Sequence, residues 1–232
     1  MNEKPIIPNL TSTLRTNIVE SPDAIRKATG IRLFGKRIKT IVYSTDVAVI
    51  ANCDADAILA VYPWTPNTRI LDAIGRVANV PILAGVGGGL TKGLRSATVA
   101  RFAEENGAQA VVLNAPTSLE TLNSVRKIVD IPIFYTVVNQ TTDLERYIKA
   151  GVNALNIAGG KQTAELVAWA RAQIDAAHPH FPIIASGGKT DEQIQATIQA
   201  GANAITYTAY GMTEKTFHEK MAHYREEQAP NE

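Results

Sequence analysis

The sequence has almost no cysteine: Cys53 is the only one in 232 residues. No disulfide can therefore form within the chain, and a metal site built from several cysteines is excluded. The lack of disulfides suits a reducing compartment, so we expect a cytoplasmic protein. Residues 1–5 lead into no long apolar run, and the sequence predicts no signal peptide.

Long apolar runs and a strong charge of one sign are also missing. No stretch approaches the ~18 consecutive apolar residues that indicate a membrane-spanning helix, so no membrane partner is expected. The 23 lysines and arginines nearly balance the 22 aspartates and glutamates, which gives a net charge of +1. Such a balance predicts no nucleic-acid surface.

Histidine is scarce, and its four positions are poorly suited to chemistry. His178 and His180 precede a predicted strand, and His218 and His223 lie in the last predicted helix. None of them follows the end of a strand, where the catalytic residues of a parallel barrel gather. We therefore expect neither a metal site nor a histidine acid–base pair.

From Lys39 onward, short apolar segments alternate with longer amphipathic ones, which is typical of parallel βα units. The apolar segments predict eight strands at residues 39–43, 57–62, 81–86, 109–114, 131–137, 153–158, 182–186 and 203–208. The other segments predict eight helices at residues 46–53, 67–78, 91–106, 118–129, 142–150, 162–177, 190–200 and 213–227. This count indicates the α/β class and a closed (β/α)8 TIM barrel over residues 39–232, with residues 1–38 as an N-terminal arm packed on it. An open doubly wound sheet is the alternative.

Internal repeats favour the barrel. Three odd-numbered strands open with proline, at Pro81, Pro132 and Pro182, so the repeat spans two βα units. Three even-numbered strands share another opening, at residues 107–110, 151–154 and 201–204. A period of two units argues for one barrel rather than for two domains.

Glycine-rich loops follow three predicted strands, and each loop is followed by a lysine. Free backbone N–H groups beside a helix start favour an anion, so these loops predict phosphate binding. The predicted phosphate-binding residues are Gly159, Gly160, Ser186, Gly187, Gly188, Lys189, Thr208, Tyr210 and Gly211. A second anion site is predicted at Gly87, Gly88, Gly89 and Asn114. A P-loop is rejected, because Ile183 stands where that motif requires glycine.

Two segments resemble a known superfamily. Residues 182–208, PIIASGGKTDEQIQATIQAGANAITYT, resemble the last quarter of the ribulose-phosphate-binding TIM barrels. Residues 81–117, with GVGGGLT and VVLNAPT, resemble an earlier quarter of the histidine-biosynthesis isomerase and cyclase in that superfamily. The resemblance implies a phosphate site in the loops after strands seven and eight. Those two enzymes use aspartates after strands one and five, whereas here only strand one has one, Asp46.

Asp46 is the best candidate for a general base, because it follows the first strand directly and can point over the barrel mouth. The alternative interpretation is that Asp46 is the N-cap of the helix that follows. Lys161 and Tyr207 are the other catalytic candidates. Lys161 could neutralise an anion, and Tyr207 could donate a hydrogen bond or stack on a planar substrate.

These residues predict an enzyme that acts on a small phosphorylated metabolite, of isomerase, epimerase or lyase type and without a cofactor. A hydrolase or an FMN-dependent barrel enzyme is an alternative, because a flavin phosphate would use the same glycine loops. A non-catalytic sensor of a phosphorylated metabolite is a third hypothesis, because the rim offers few acid–base residues. The sequence leaves open the substrate and whether the protein is a homo-oligomer.

Overall fold

The computed structural model describes Pro8, residues 10–12 and residues 18–227. Before the barrel, the chain forms a 3-10 helix at Asp23–Lys27 and a hairpin of two antiparallel strands, β1 (Ile31–Leu33) and β2 (Lys36–Ile38). These elements belong to the predicted arm, whose residues 1–7, 9 and 13–17 lie outside the described residues.

Eight parallel strands then form the closed barrel that the sequence predicts. In chain order they are β3 (Thr40–Tyr43), β4 (Ala57–Ala60), β5 (Ile82–Gly87), β6 (Ala110–Leu113), β7 (Ile133–Val137), β8 (Ala154–Ile157), β9 (Ile183–Ser186) and β10 (Ala204–Thr208). Each strand pairs with the next, and β10 returns to pair with β3. The prediction of an α/β (β/α)8 TIM barrel is therefore confirmed.

A helix follows every barrel strand. The helices are α1 (Val47–Ala51), α2 (Thr68–Val77), α3 (Gly93–Glu105), α4 (Leu119–Arg126), α5 (Leu144–Lys149), α6 (Thr163–Ile174), α7 (Asp191–Gln199) and α8 (Met212–Glu227). None of the helices in the described part of the chain is both long and apolar enough to cross a membrane.

Side chains at the helix starts account for these boundaries. Thr190 and Gln193 form a reciprocal capping box at α7. Ser118 caps α4, and its side chain accepts from the N–H of Thr121. Asp143 caps α5, and its side chain accepts from the N–H of Arg146.

The hydrophobic core has two layers. The larger layer lies between the strands and the surrounding helices. The smaller one fills the barrel interior, with inward-facing residues such as Leu83, Val112 and Phe134. Buried side chains of the hairpin, Ile31 and Ile38 among them, join this inner cluster. Because β2 leads directly into β3, these hairpin side chains cover the amino end of the barrel interior.

Candidate functional site

A polar layer covers the apolar core at the carboxyl end of the barrel. Side chains of a strand alternate between its two faces, so the residue two places after a core-facing residue also faces inward. Core-facing Val112, Phe134, Ala154, Ile184 and Ala204 are each followed in this way by a polar residue. Those five polar residues are Asn114, Thr136, Asn156, Ser186 and Thr206, and all of them line one cavity.

Three of these residues form a directed chain of hydrogen bonds. The Nδ2 of Asn156 donates to the Oγ1 of Thr136 over 3.0 Å, and that hydroxyl donates to the Oδ1 of Asn114 over 3.1 Å. These two hydrogen bonds fix the orientation of the Asn114 amide, because its Oδ1 must point to the Thr136 hydroxyl. The group that Asn114 can offer a ligand is its Nδ2, a hydrogen-bond donor.

One end of this chain is unsatisfied. The Oδ1 of Asn156 is buried and accepts no hydrogen bond from the described residues, although Asn156 itself is only 5% exposed. Buried polar atoms nearly always have a partner, and an unpaired one in a native fold calls for an explanation. A ligand or water in the adjoining cavity is the natural source of the missing donor.

Two neighbouring cavities open at this end of the barrel. The polar layer lines a cavity of about 180 Å³. A second cavity, of about 440 Å³, lies between the loops after β4, β5 and β6. Tyr43, Val61 and Asn114 line both cavities, so the two are adjacent.

The cavity walls carry almost no titratable groups. All the residues that line the two cavities are described, and none is an aspartate, glutamate, histidine, lysine, arginine or cysteine. Tyr43 and Tyr62 are the titratable residues among them. Ligand recognition here therefore depends on neutral hydrogen bonds and apolar contacts. Nor do the described residues contain a group of three potential metal ligands.

The predicted phosphate loops after β9 and β10 bring their glycines to the same rim, but several of their N–H groups are already bonded. Gly187 donates to the carbonyl oxygen of Thr206 over 2.9 Å, and Tyr210 donates to the Thr208 hydroxyl over 3.2 Å. The side chain of Gln193 accepts from Lys189 over 2.7 Å and from Thr190 over 3.3 Å. An anion at the start of α7 would have to displace this side-chain oxygen.

The other glycine loops are similarly engaged. The N–H of Gly159 donates to the Thr163 hydroxyl. In the predicted second anion site, Gly88 donates to the carbonyl oxygen of Thr91, and Gly89 donates to that of Pro116. Gly87 accepts from the N–H of Asn114. These bonds give the loops a defined shape, and Gly87–Gly89 form part of the wall of the larger cavity.

Asp46 occupies the N-cap of α1. Its Oδ1 accepts from the N–H of Ala48 over 2.8 Å and of Val49 over 3.4 Å. Its Oδ2 accepts from the Thr213 hydroxyl over 2.5 Å, which joins α1 to the start of α8. The carboxylate lines neither of the two cavities. The structure thus shows the capping interaction that was the alternative interpretation of Asp46.

The other two catalytic candidates line neither of the two cavities. Tyr207 lies on the outward face of β10, because strand alternation turns it away from inward-facing Thr206, and its hydroxyl is 3.2 Å from that of Ser21. Burial raises the pKa of Tyr207 to about 12, with a smaller opposing effect from Ser21, so the phenol stays protonated. Lys161 is exposed in a short 3-10 helix, Gly160–Gln162, after β8.

Comparison with known proteins supports the fold. No protein-family model matches the chain, and no curated protein is similar in sequence. Among solved structures, the chain resembles phosphonopyruvate hydrolase (TM-score 0.61, 15% identity, 84% of each chain covered). It also resembles mandelate oxidase (TM-score 0.62, 16% identity, 88% of this chain and 72% of that one). A third similar structure is dihydrodipicolinate synthase from Agrobacterium tumefaciens (TM-score 0.55, 17% identity, 75% of this chain and 70% of that one covered). At these identities the similarity shows the TIM-barrel fold, and it does not single out the ribulose-phosphate-binding superfamily.

Proposed function

We propose that this protein is an enzyme for a small phosphorylated metabolite and that it binds the hydroxylated part of its substrate on the polar layer at the barrel mouth. The unpaired Oδ1 of Asn156 carries the proposal. Leaving a buried acceptor without a partner costs ~1–3 kcal/mol, and a hydroxyl donor from a ligand removes that cost. The neighbouring Ser186 and Thr206 supply further hydroxyls for a polyol or sugar.

The phosphate group of this ligand is placed at the rim formed by the loops after β9 and β10. Ser186 and Thr206 are paired in register at the carboxyl ends of these two strands, so the rim borders the polar cavity. Lys189 is exposed there and supplies a positive charge. The N–H groups of Lys189 and Thr190 become available when the phosphate takes the place of the Gln193 oxygen.

An isomerase, epimerase or lyase also needs a group that moves a proton at the mouth. Tyr43 lines both cavities and is 39% exposed, so it is the best-placed titratable residue. Asp46 follows the same strand and remains a candidate if its capping bonds open during the reaction. A non-catalytic sensor is a second candidate function, and the lack of ionised side chains in the cavity walls favours it.

Replacing Asn156 by leucine tests the site. The Asn156→Leu variant keeps the number and branching of the side-chain heavy atoms but removes the carbonyl oxygen and the amino group of the amide, so we expect it to lose at least tenfold in affinity for the metabolite that co-purifies with the wild-type protein. Mass spectrometry identifies that metabolite, and calorimetric titration measures its binding. Stability should change little, because the loss of the hydrogen bond to Thr136 is offset by the removal of an unpaired buried oxygen. A merely structural role of Asn156 predicts a less stable variant instead.

Gln109→Leu is the matched control. It removes another buried, unpaired side-chain oxygen, but Gln109 lies before β6, at the amino end of the barrel, and should not affect binding. Unchanged affinity in Asn156→Leu would contradict the proposed site. Conversion of the bound metabolite by the purified protein supports an enzyme, whereas its return unchanged supports a sensor. Visible flavin absorbance of the protein would favour the FMN-dependent alternative.

A further inference from the structure

The larger cavity has an aromatic and proline-rich wall formed by the loop after β4. Trp64 is at the tip of this loop and is 77% exposed, which is unusual for the largest apolar side chain. Pro63 and Pro66 restrict the backbone on either side. The hydroxyl of Tyr62 accepts from the N–H of Asn67 over 2.6 Å and closes the base of the loop. The indole is therefore presented to the cavity on a restrained support.

Glycine backbone forms another wall, in the loop after β5. A side chain at Gly87 would come within 2.0 Å of the Ser96 hydroxyl, and one at Gly88 within 2.1 Å of the Asn114 carbonyl oxygen. Both positions therefore require glycine. Leu90, in the same loop, lines this cavity and is 99% exposed. Exposed apolar residues grouped in one concave surface mark a binding site rather than an ordinary surface.

The polar component of this cavity is the Asn114 amide. Because its Oδ1 accepts from Thr136, the amide offers Nδ2 as a donor at the point where the two cavities meet. No ionised side chain lines the cavity, so a charged group would find no partner there. The cavity thus offers the indole of Trp64, the glycine backbone after β5 and the amide donor of Asn114. A planar, uncharged group with a hydrogen-bond acceptor on its edge fits these three features.

We propose that the larger cavity binds a planar, uncharged ring of the substrate, with Trp64 stacked on the ring and the Nδ2 of Asn114 donating to an acceptor on its edge. This inference rests on the proposed function, since the ring belongs to the same metabolite whose hydroxylated part lies on the polar layer. The substrate is then a ring-bearing sugar or polyol phosphate rather than a simple sugar phosphate.

Uridine monophosphate and ribose 5-phosphate form a matched pair of probes, because uridine monophosphate carries a planar ring with carbonyl acceptors in place of the anomeric hydroxyl of ribose 5-phosphate. We expect uridine monophosphate to bind the wild-type protein about tenfold more tightly or better, as measured by calorimetry. The Trp64→Leu variant should lose most of this preference, because only the hydrogen bond from Asn114 to the ring remains. Trp64 is exposed, so this variant should fold normally, which its circular dichroism can verify.

Tryptophan fluorescence provides an independent readout, because the chain has two tryptophans, Trp64 and Trp169. In the Trp169→Phe variant, Trp64 is the sole reporter, and uridine monophosphate should quench it. In the Trp64→Leu variant, the signal of Trp169 should not change. Equal affinity of the two probes for the wild-type protein, or a preference that is undiminished in Trp64→Leu, would overturn the ring site and leave the proposed function standing. Failure of both probes to bind would overturn the two proposals together.

Discussion

Asp46 connects two helices, and this arrangement defines how its role can be tested. It caps α1 through Oδ1 and accepts from Thr213 of α8 through Oδ2. Asparagine caps a helix about as well as aspartate, so Asp46→Asn should lose little stability, whereas Asp46→Ala should lose ~1 kcal/mol in urea unfolding. If Asp46 is a general base, Asp46→Asn should instead lower the turnover rate by ~10²–10⁴.

The Thr213→Val variant separates the cap of α1 from the hydrogen bond that joins Asp46 to α8. The change removes the hydroxyl that donates to Oδ2 and leaves the cap of α1 intact. A stability loss in Thr213→Val comparable to that in Asp46→Ala would show that the bond to α8 matters more than the cap. Turnover in Asp46→Asn at the wild-type rate would end its candidacy as a base.

The residues of the polar layer could in part be found from the sequence. Asn114 and Ser186 are among the predicted anion-binding residues, because each is the last residue of a predicted strand. Thr136, Asn156 and Thr206 were missed, since they lie within predicted strands and look like ordinary strand residues. Their signal is the two-residue period: Phe134, Ala154 and Ala204 face the barrel interior, so the next inward positions must be at the mouth. The pairing of one polar residue with another depends on the barrel's register and cannot be read from the sequence.

Among the elements, α7 shows that the N–H groups of a glycine loop can be bonded within the protein itself. The side chain of Gln193, part of the capping box, accepts from the N–H of Lys189, a residue that the sequence assigns to phosphate. Asp191 and Glu192 also place two carboxylates in the first turn. Hydrogen bonds from its own backbone N–H and from Thr190 lower the pKa of Glu192, so this carboxyl is ionised. Whether a helix start is free for an anion depends on side-chain positions that the motif alone does not specify.

Replacing Gln193 by alanine therefore tests whether the start of α7 is a phosphate site. The variant loses half of the capping box and frees the N–H groups of Lys189 and Thr190. We expect it to bind inorganic phosphate several-fold more tightly than the wild type in low-salt calorimetry, and to lose ~0.5–1 kcal/mol of stability. Gln199→Ala, an exposed glutamine at the other end of α7, is the control and should change neither property. Phosphate binding that is undetectable in both the wild type and Gln193→Ala would place the phosphate elsewhere.

For the whole molecule, the alternation of strands and helices and the two-unit repeat were sufficient to predict the closed barrel. The role of the hairpin was not predictable in the same way. Its sequence alternates apolar residues with Arg32, Lys36 and Arg37, which is equally consistent with a solvated surface strand. The apolar face becomes buried only because the barrel has an open amino end of matching size. The fit between the hairpin and the barrel arises only in the assembled fold, so the sequence of the hairpin alone does not reveal it.

A substitution in the hairpin tests whether it is an integral part of the barrel or a loosely attached arm. Ile38 is fully buried in the inner cluster, so Ile38→Ala should destabilise the whole protein by ~2–5 kcal/mol, through lost burial and the cavity that remains. Phe34, at the tip of the same hairpin, is 69% exposed, and Phe34→Ala should cost far less. Urea unfolding followed by circular dichroism measures both. If the hairpin closes the barrel, Ile38→Ala shifts a single cooperative transition. A loosely attached arm predicts that the barrel's transition stays at the wild-type urea concentration, because the inner cluster would then be stable without Ile38.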